Sequence, residues 1–95
     1  MQHPVDLDQA KPRLAAGVRL QIDGTTGRAV LMFPEGILEL NETAQEILTR
    51  CDGRSVASIV SDLTNEYEAD AESLATDVRE TLRDLQNRRL VEFTT

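Results

Sequence analysis

The spacing of apolar residues changes at Asn41, and that change confines the chain to a small sheet followed by helices. Before it, Val18, Leu20 and Ile22 alternate with Arg19 and Gln21, the period of a strand with one wet face. Asp23-Gly24-Thr25-Thr26-Gly27 reads as a turn, because its two glycines permit positive φ. Arg28 to Phe33 contains Ala29-Val30-Leu31-Met32-Phe33, apolar on both faces, as a central strand is. Pro34-Glu35-Gly36 suits a tight hairpin, with Pro at the second turn position and Gly at the fourth. Ile37 to Leu40 is then a third strand, with Leu38 and Leu40 on one face and Ile37 and Glu39 on the other. Sequential pairing gives a three-stranded meander with residues 28–33 in the middle. Strands one and three are edges, whose unpaired N–H and C=O groups invite another strand.

After Asn41 the apolar residues recur every three or four positions. Asn41 is a good N-cap and Glu42 suits the positive end of a helix carrying Ala44, Ile47, Leu48 and Cys51, which Asp52-Gly53 is expected to stop. Ser55 caps a second helix with the stripe Val56, Ile59, Val60, Leu63 and Tyr67. Asp70 caps a third, with Leu74, Val78, Leu82 and Leu85 on one face and Arg83, Arg88 and Arg89 in its last turns. Leu90 to Phe93 reads as a short extended tail over the core. The expected fold is α+β and winged-helix-turn-helix-like: a three-stranded antiparallel N-terminal sheet followed by a three-helix bundle of helices of roughly 10–18 residues. Residues 1–12, with Pro4 and Pro12, are expected to be a flexible arm, and residues 13–95 a single domain.

Charge and composition then narrow the function. With 10 basic and 17 acidic residues the net charge is -7, and Lys11 is the only lysine. Residues 1–54 hold 8 acids and 6 bases, residues 55–95 hold 9 and 4, so the acidic excess lies in the helices. Duplex nucleic acid needs clustered cations, so a nucleic-acid partner is not expected. No apolar run approaches the roughly 20 residues of a membrane span, and one cysteine forms no internal disulfide, which fits a cytoplasmic protein without a membrane partner. Catalysis needs converging acids, bases or nucleophiles. His3 is the only histidine and lies in the arm, and Cys51 sits on an apolar stripe where a small buried side chain is the simpler reading. No catalytic residue, metal ligand or cofactor is therefore assigned.

Several segments together carry a family resemblance. They are Phe33-Pro34-Glu35-Gly36, Leu40-Asn41-Glu42-Thr43-Ala44, Ile47-Leu48 and Cys51-Asp52-Gly53, then Ile59-Val60, Leu63, Tyr67, Asp70, Val78, Leu82, Leu85 and Leu90-Val91. Over roughly residues 13–93 the chain resembles the PqqD family, peptide chaperones of pyrroloquinoline quinone (PQQ) biosynthesis. The resemblance implies two partners: the precursor peptide PqqA, held as an added strand, and the radical SAM enzyme PqqE, to which it is presented. It also implies a peptide site between the third strand and the third helix. By element this transfers to Ile37, Leu38, Glu39, Leu40 and Asn41, and to Val78, Arg79, Leu82, Arg83 and Leu85.

Each of these residues also has a plainer role. Leu38, Leu40, Leu82 and Leu85 fit a core, while Arg79 and Arg83 suit solvated pairs with Glu80 or Asp84. Two rival functions share the architecture: a winged-helix DNA reader using the third helix, and a structural homodimer formed through the open strand. If the Leu38 N–H points outward, Leu38→Pro is expected to abolish peptide capture.

Overall fold

The computed structural model describes residues 7–94. Its strands are β1 (Lys11–Leu14), β2 (Arg19–Ile22), β3 (Ala29–Phe33), β4 (Gly36–Glu39) and β5 (Val91–Thr94), and its helices are α1 (Glu42–Leu48), α2 (Val56–Tyr67) and α3 (Ala71–Asn87). The meander is present as an antiparallel sheet in the order β2-β3-β4. Leu20, Leu31 and Leu38 stand opposite one another across it, as the alternation requires. The Asp23–Gly27 turn is closed by Gly27 N–H to the Asp23 carbonyl at 2.7 Å, with Gly27 at φ 74°.

A second sheet, β1 with β5, was not anticipated. Lys11 pairs with Thr94 and Leu14 with Val91, so part of the segment expected to be a loose arm is a strand. Leu7–Gln9 form a 3-10 turn, and Ala10 and Pro12 are buried. The expectation for residues 1–6, including His3 and Pro4, lies outside the described residues. Pro12 is compatible with this strand for a definite reason. The Ala15 N–H donates to the Leu90 carbonyl at 3.0 Å. Hydrogen-bonded pairs alternate along an antiparallel ladder, so Arg13–Glu92 is bonded and Pro12–Phe93 is not. The missing Pro12 N–H thus faces away from β5, where its loss removes no ladder bond.

All three helices begin at the expected caps. Asn41, Ser55 and Asp70 side chains accept from the N–H groups of Ala44, Ser58 and Ser73 at 2.7, 3.2 and 2.9 Å. The first helix is shorter than expected. Arg50 and Cys51 N–H groups donate to Ile47 and Leu48 carbonyls, tightening the last turn, so α1 has 7 residues and Cys51 lies beyond it. Arg50 then ties α1 to α2. Its guanidinium donates to Glu46 at 2.7 Å, to Asp62 at 2.6 Å and to Glu66, with only 15% of its side chain exposed. These carboxylates, Asp62 foremost and then Glu46, raise its pKa above the usual arginine value.

The core lies between the sheet and the helices, with Leu31, Ile47, Val56, Ile59, Val78, Leu82 and Val91 all but inaccessible. At the end of α3, Arg89 adopts φ 63°, Arg89 N–H donates to Gln86 and Leu90 N–H donates to Leu85. This is a Schellman turn, with buried Leu85 and Leu90 as its apolar pair. It turns the chain out of the helix and into β5.

Candidate functional site

The free edge of β4 follows from its register. Val30 faces Glu39, Leu31 faces Leu38, Met32 faces Ile37 and Phe33 faces Gly36. The Leu40 N–H donates to the Ala29 carbonyl at 3.0 Å, so the pair one step beyond Val30–Glu39 is hydrogen-bonded. Alternation then makes Leu38–Leu31 and Gly36–Phe33 bonded pairs and leaves Ile37 and Glu39 unbonded towards β3. The N–H and C=O groups of Ile37 and Glu39 point outward, and those of Leu38 do not. Among the described residues no strand covers that edge, since β4 neighbours only β3 and the chain's own tail is taken by β1.

Beside this edge lies a groove of about 200 Å³. Leu38 and Leu40 form its strand side, with Asn41 and Ala44 at the start of α1. Thr81, Leu85 and Arg88 occupy one face of α3 opposite. Leu40, Ala44 and Leu85 are buried, Leu38 is half-buried, and the rim is polar. Glu39 on that rim pairs with Arg28 at 2.8 Å, and Asp84 pairs with Arg88 at 3.1 Å. Both pairs are largely exposed, so each is worth little and can be rearranged by a ligand at small cost.

The residues singled out from the sequence divide accordingly. Leu38, Glu39, Leu40, Asn41 and Leu85 line the groove. Ile37 contributes backbone at the edge, and its side chain is 65% exposed on the outer face. Val78 and Leu82 are fully buried in the core. Arg79 faces elsewhere and clasps Asp8 through two bonds of 3.1 Å. Arg83 is exposed and is not among the lining residues. Ala44, Thr81, Asp84 and Arg88 also line the groove and were not singled out from the sequence. Counting back four and forward three from Leu85 gives Thr81 and Arg88, but counting back three and seven gives the core residues Leu82 and Val78, so helical spacing alone does not separate the groove face from the core face. Arg79 and Arg88 pair with Asp8 and Asp84, which reduces the positive charge that α3 offers a phosphate backbone.

Cys51 is half-buried, and burial pushes its thiol pKa up to about 12. It is therefore a protonated thiol at neutral pH, unsuited to act as a thiolate. Among the described residues no group of three His, Cys, Asp or Glu side chains is arranged to hold a metal ion, and no helix is long and apolar enough to cross a membrane.

An antiparallel sheet whose β4 edge is bare, an apolar groove beside that edge, and a three-helix support define a winged-helix-type recognition fold. The model of the family described as coenzyme PQQ synthesis protein D (PqqD) matches residues 28–91. The chain belongs to the PqqD family. A PqqA binding protein of Xanthomonas oryzae pv. oryzae is 45% identical over 85 residues, covering 88% of this chain and 92% of that protein. One from Xanthomonas campestris pv. campestris is 42% identical over 83 residues, covering 86% and 90%. Among solved structures, the PqqD truncation of Methylobacterium extorquens PqqCD superimposes with a TM-score of 0.75 at 35% identity, covering 85% of this chain and 87% of that one. That protein is described as a stand-alone recognition element for ribosomally synthesized and post-translationally modified peptides. Lasso peptide synthetase B1 complexed with its leader peptide superimposes with a TM-score of 0.76 at 28% identity, covering 87% and 99%.

Proposed function

We propose that this chain is a non-catalytic peptide chaperone of PQQ biosynthesis that works in the cytoplasm. It binds the precursor peptide PqqA as an added strand along β4 and presents it to the radical SAM enzyme PqqE. The observation that carries this reading is the outward-facing backbone of Ile37 and Glu39 beside the groove floored by Leu38, Leu40 and Leu85. The names of the curated relatives and the leader peptide held by the lasso synthetase support it.

The energetics suit a carrier. Ile37 and Glu39 each offer one donor and one acceptor, and four such bonds contribute roughly 2–6 kcal/mol net. A large apolar side chain seated in the groove adds about 1.5–3 kcal/mol. Against this stand the ordering of the peptide and an association cost of about 4–15 kcal/mol. The backbone bonds accept almost any sequence, so the groove supplies the selectivity.

Amide hydrogen exchange with and without PqqA tests the reading. The Ile37 and Glu39 amides are expected to gain protection, while the Leu38 amide, already bonded to β3, changes little. Protection confined to β2 or to the α2 surface overturns it.

A further inference from the structure

A second depression lies at the other end of α3. It encloses about 320 Å³ between the three helices and is lined by Glu42, Thr43, Glu46, Leu63, Tyr67 and Leu74. Its floor is apolar, and the Tyr67 side chain, half exposed, stands at its edge. It shares no lining residue with the β4 groove. Leu74 and Leu85 are eleven residues apart, which is about 16 Å along a helix. α1 walls both sites: Ala44 faces the groove, and Glu42, Thr43 and Glu46 face the depression.

The electrostatic setting is one-sided. Residues 55–78 contain Asp62, Glu66, Glu68, Asp70, Glu72 and Asp77 and no Lys or Arg. Two cations reach this region: Arg50, shared by Glu46, Asp62 and Glu66, and Arg54, which pairs with Asp52 at 3.0 Å and with Asp62 at 3.6 Å. Four carboxylates, Glu46, Asp52, Asp62 and Glu66, face these two guanidiniums and leave the surface negative, and Glu42 at the mouth adds to it. A large half-exposed aromatic beside an apolar floor, bordered by Glu42 and Glu46, has the anatomy of an interface anchor with a charged rim.

We infer that this depression docks a protein partner that inserts an apolar side chain flanked by Lys or Arg, and that the partner is the enzyme receiving the peptide. The inference rests on the chaperone role proposed above for its choice of partner, and on the depression itself for its location. Because the two sites are separate, peptide and enzyme are held together without competing. Anionic membranes are repelled by the same charge.

The test is titration of PqqE into the full chain, with and without PqqA, by calorimetry at several salt concentrations. Binding is expected to weaken steeply with salt. Tyr67→Ala is expected to lower the affinity for PqqE at least about tenfold, as for truncation of a central aromatic anchor. Thr43→Arg, which sets a cation in the mouth, is expected to do the same. Both variants keep the affinity for PqqA within about twofold. PqqE affinity unchanged in both folded variants overturns the assignment, as does the absence of any PqqE binding. Self-association that Tyr67→Ala dissolves overturns it in favour of a second copy. PqqE binding through this depression with no PqqA binding sinks strand addition but leaves the docking surface standing.

Discussion

Proline separates the two kinds of residue on β4 because it deletes the backbone N–H and fixes φ near about −65°, changes an edge strand accommodates only where that N–H faces outward. At Glu39 that N–H points away from β3, so Glu39→Pro removes no bond of the sheet. It also removes the exposed pair with Arg28, which is worth about 0–1 kcal/mol. A loss of about 1 kcal/mol lowers the Tm of a domain this size by roughly 4–8 °C, so Glu39→Pro remains folded. In the complex its effect is larger. A peptide carbonyl meant for the Glu39 N–H meets a proline ring, and leaving such an acceptor unpaired costs about 1–3 kcal/mol. At about 1.4 kcal/mol per factor of ten, affinity for PqqA falls roughly 5- to 150-fold.

Leu38→Pro is the contrasting variant. Its N–H faces Leu31 in the bonded register, so proline there breaks the β3–β4 ladder in the middle of its hairpin. The expected result is a loss of about 1–3 kcal/mol of folding stability for the Leu31 carbonyl left unpaired, with the clash of the proline ring against β3 adding to it. The structure thus moves the decisive substitution from residue 38 to residue 39, because the Leu38 N–H points inward. Urea denaturation followed by circular dichroism, with calorimetric titration of PqqA on each folded variant, reads both effects. A Glu39→Pro protein that is folded and binds PqqA within twofold of wild type refutes strand addition at β4.

Three further outcomes are expected. Arg50→Ala leaves Glu46 and Glu66 without their cation and Asp62 with only the longer contact to Arg54, and is expected to cost about 1–2 kcal/mol in urea denaturation, a figure held down by the half-exposed Asp62 and Glu66; Arg50→Lys recovers only part of it, since an ammonium lacks the planar fork. Arg89→Gly is expected to raise the Tm by a few degrees, because relief of left-handed strain of about 1–2 kcal/mol exceeds the added entropy of glycine in the unfolded chain. Cys51 is expected to resist a thiol-reactive dye at pH 8 until the protein is unfolded; since its folded pKa of about 12 lies above its ordinary value of 9.0, its contribution to stability is complete below about pH 9 and is lost as pH rises towards 12, an alkaline loss that Cys51→Ala removes.

Local chemistry was legible and long-range pairing was not. Asn41, Ser55 and Asp70 are caps because a short polar side chain bonds the amide three residues on, and nothing distant intervenes. The meander was equally readable from alternation and two turns. β1 was not, because its partner lies some eighty positions away and Pro12 within it speaks against a strand unless its register is known. The α1 boundary was misjudged for a related reason: Cys51 continues the apolar spacing, but the tightened turn at Arg50 moves it out of the helix. In the candidate site, Leu38, Glu39, Leu40 and Asn41, named from the sequence, all line the groove beside β4. On α3 periodicity located the apolar face but not its division between the core, which takes Val78 and Leu82, and the groove, which takes Thr81 and Arg88.

The same long-range pairing explains why the β4 edge stays bare. An apolar tail such as Leu90–Phe93 is well suited to fill any open ladder within reach, β4 included. Two features direct it elsewhere. Arg89 in its left-handed conformation fixes the exit from α3, and Leu90 is locked down by its bond to Leu85 before the tail begins. β1 then supplies a competing edge whose register is set by Ala15 bonding Leu90 and whose proline sits where no donor is needed. β1 therefore works as an internal partner that occupies the tail. Deleting residues 1–14 is expected to release β5, and if the freed tail folds onto β4, the shortened protein will lose affinity for PqqA while keeping the helical circular dichroism of α1–α3. Addition of a separate peptide spanning residues 7–15 should then restore binding, which a truncation that merely unfolds the domain would not allow.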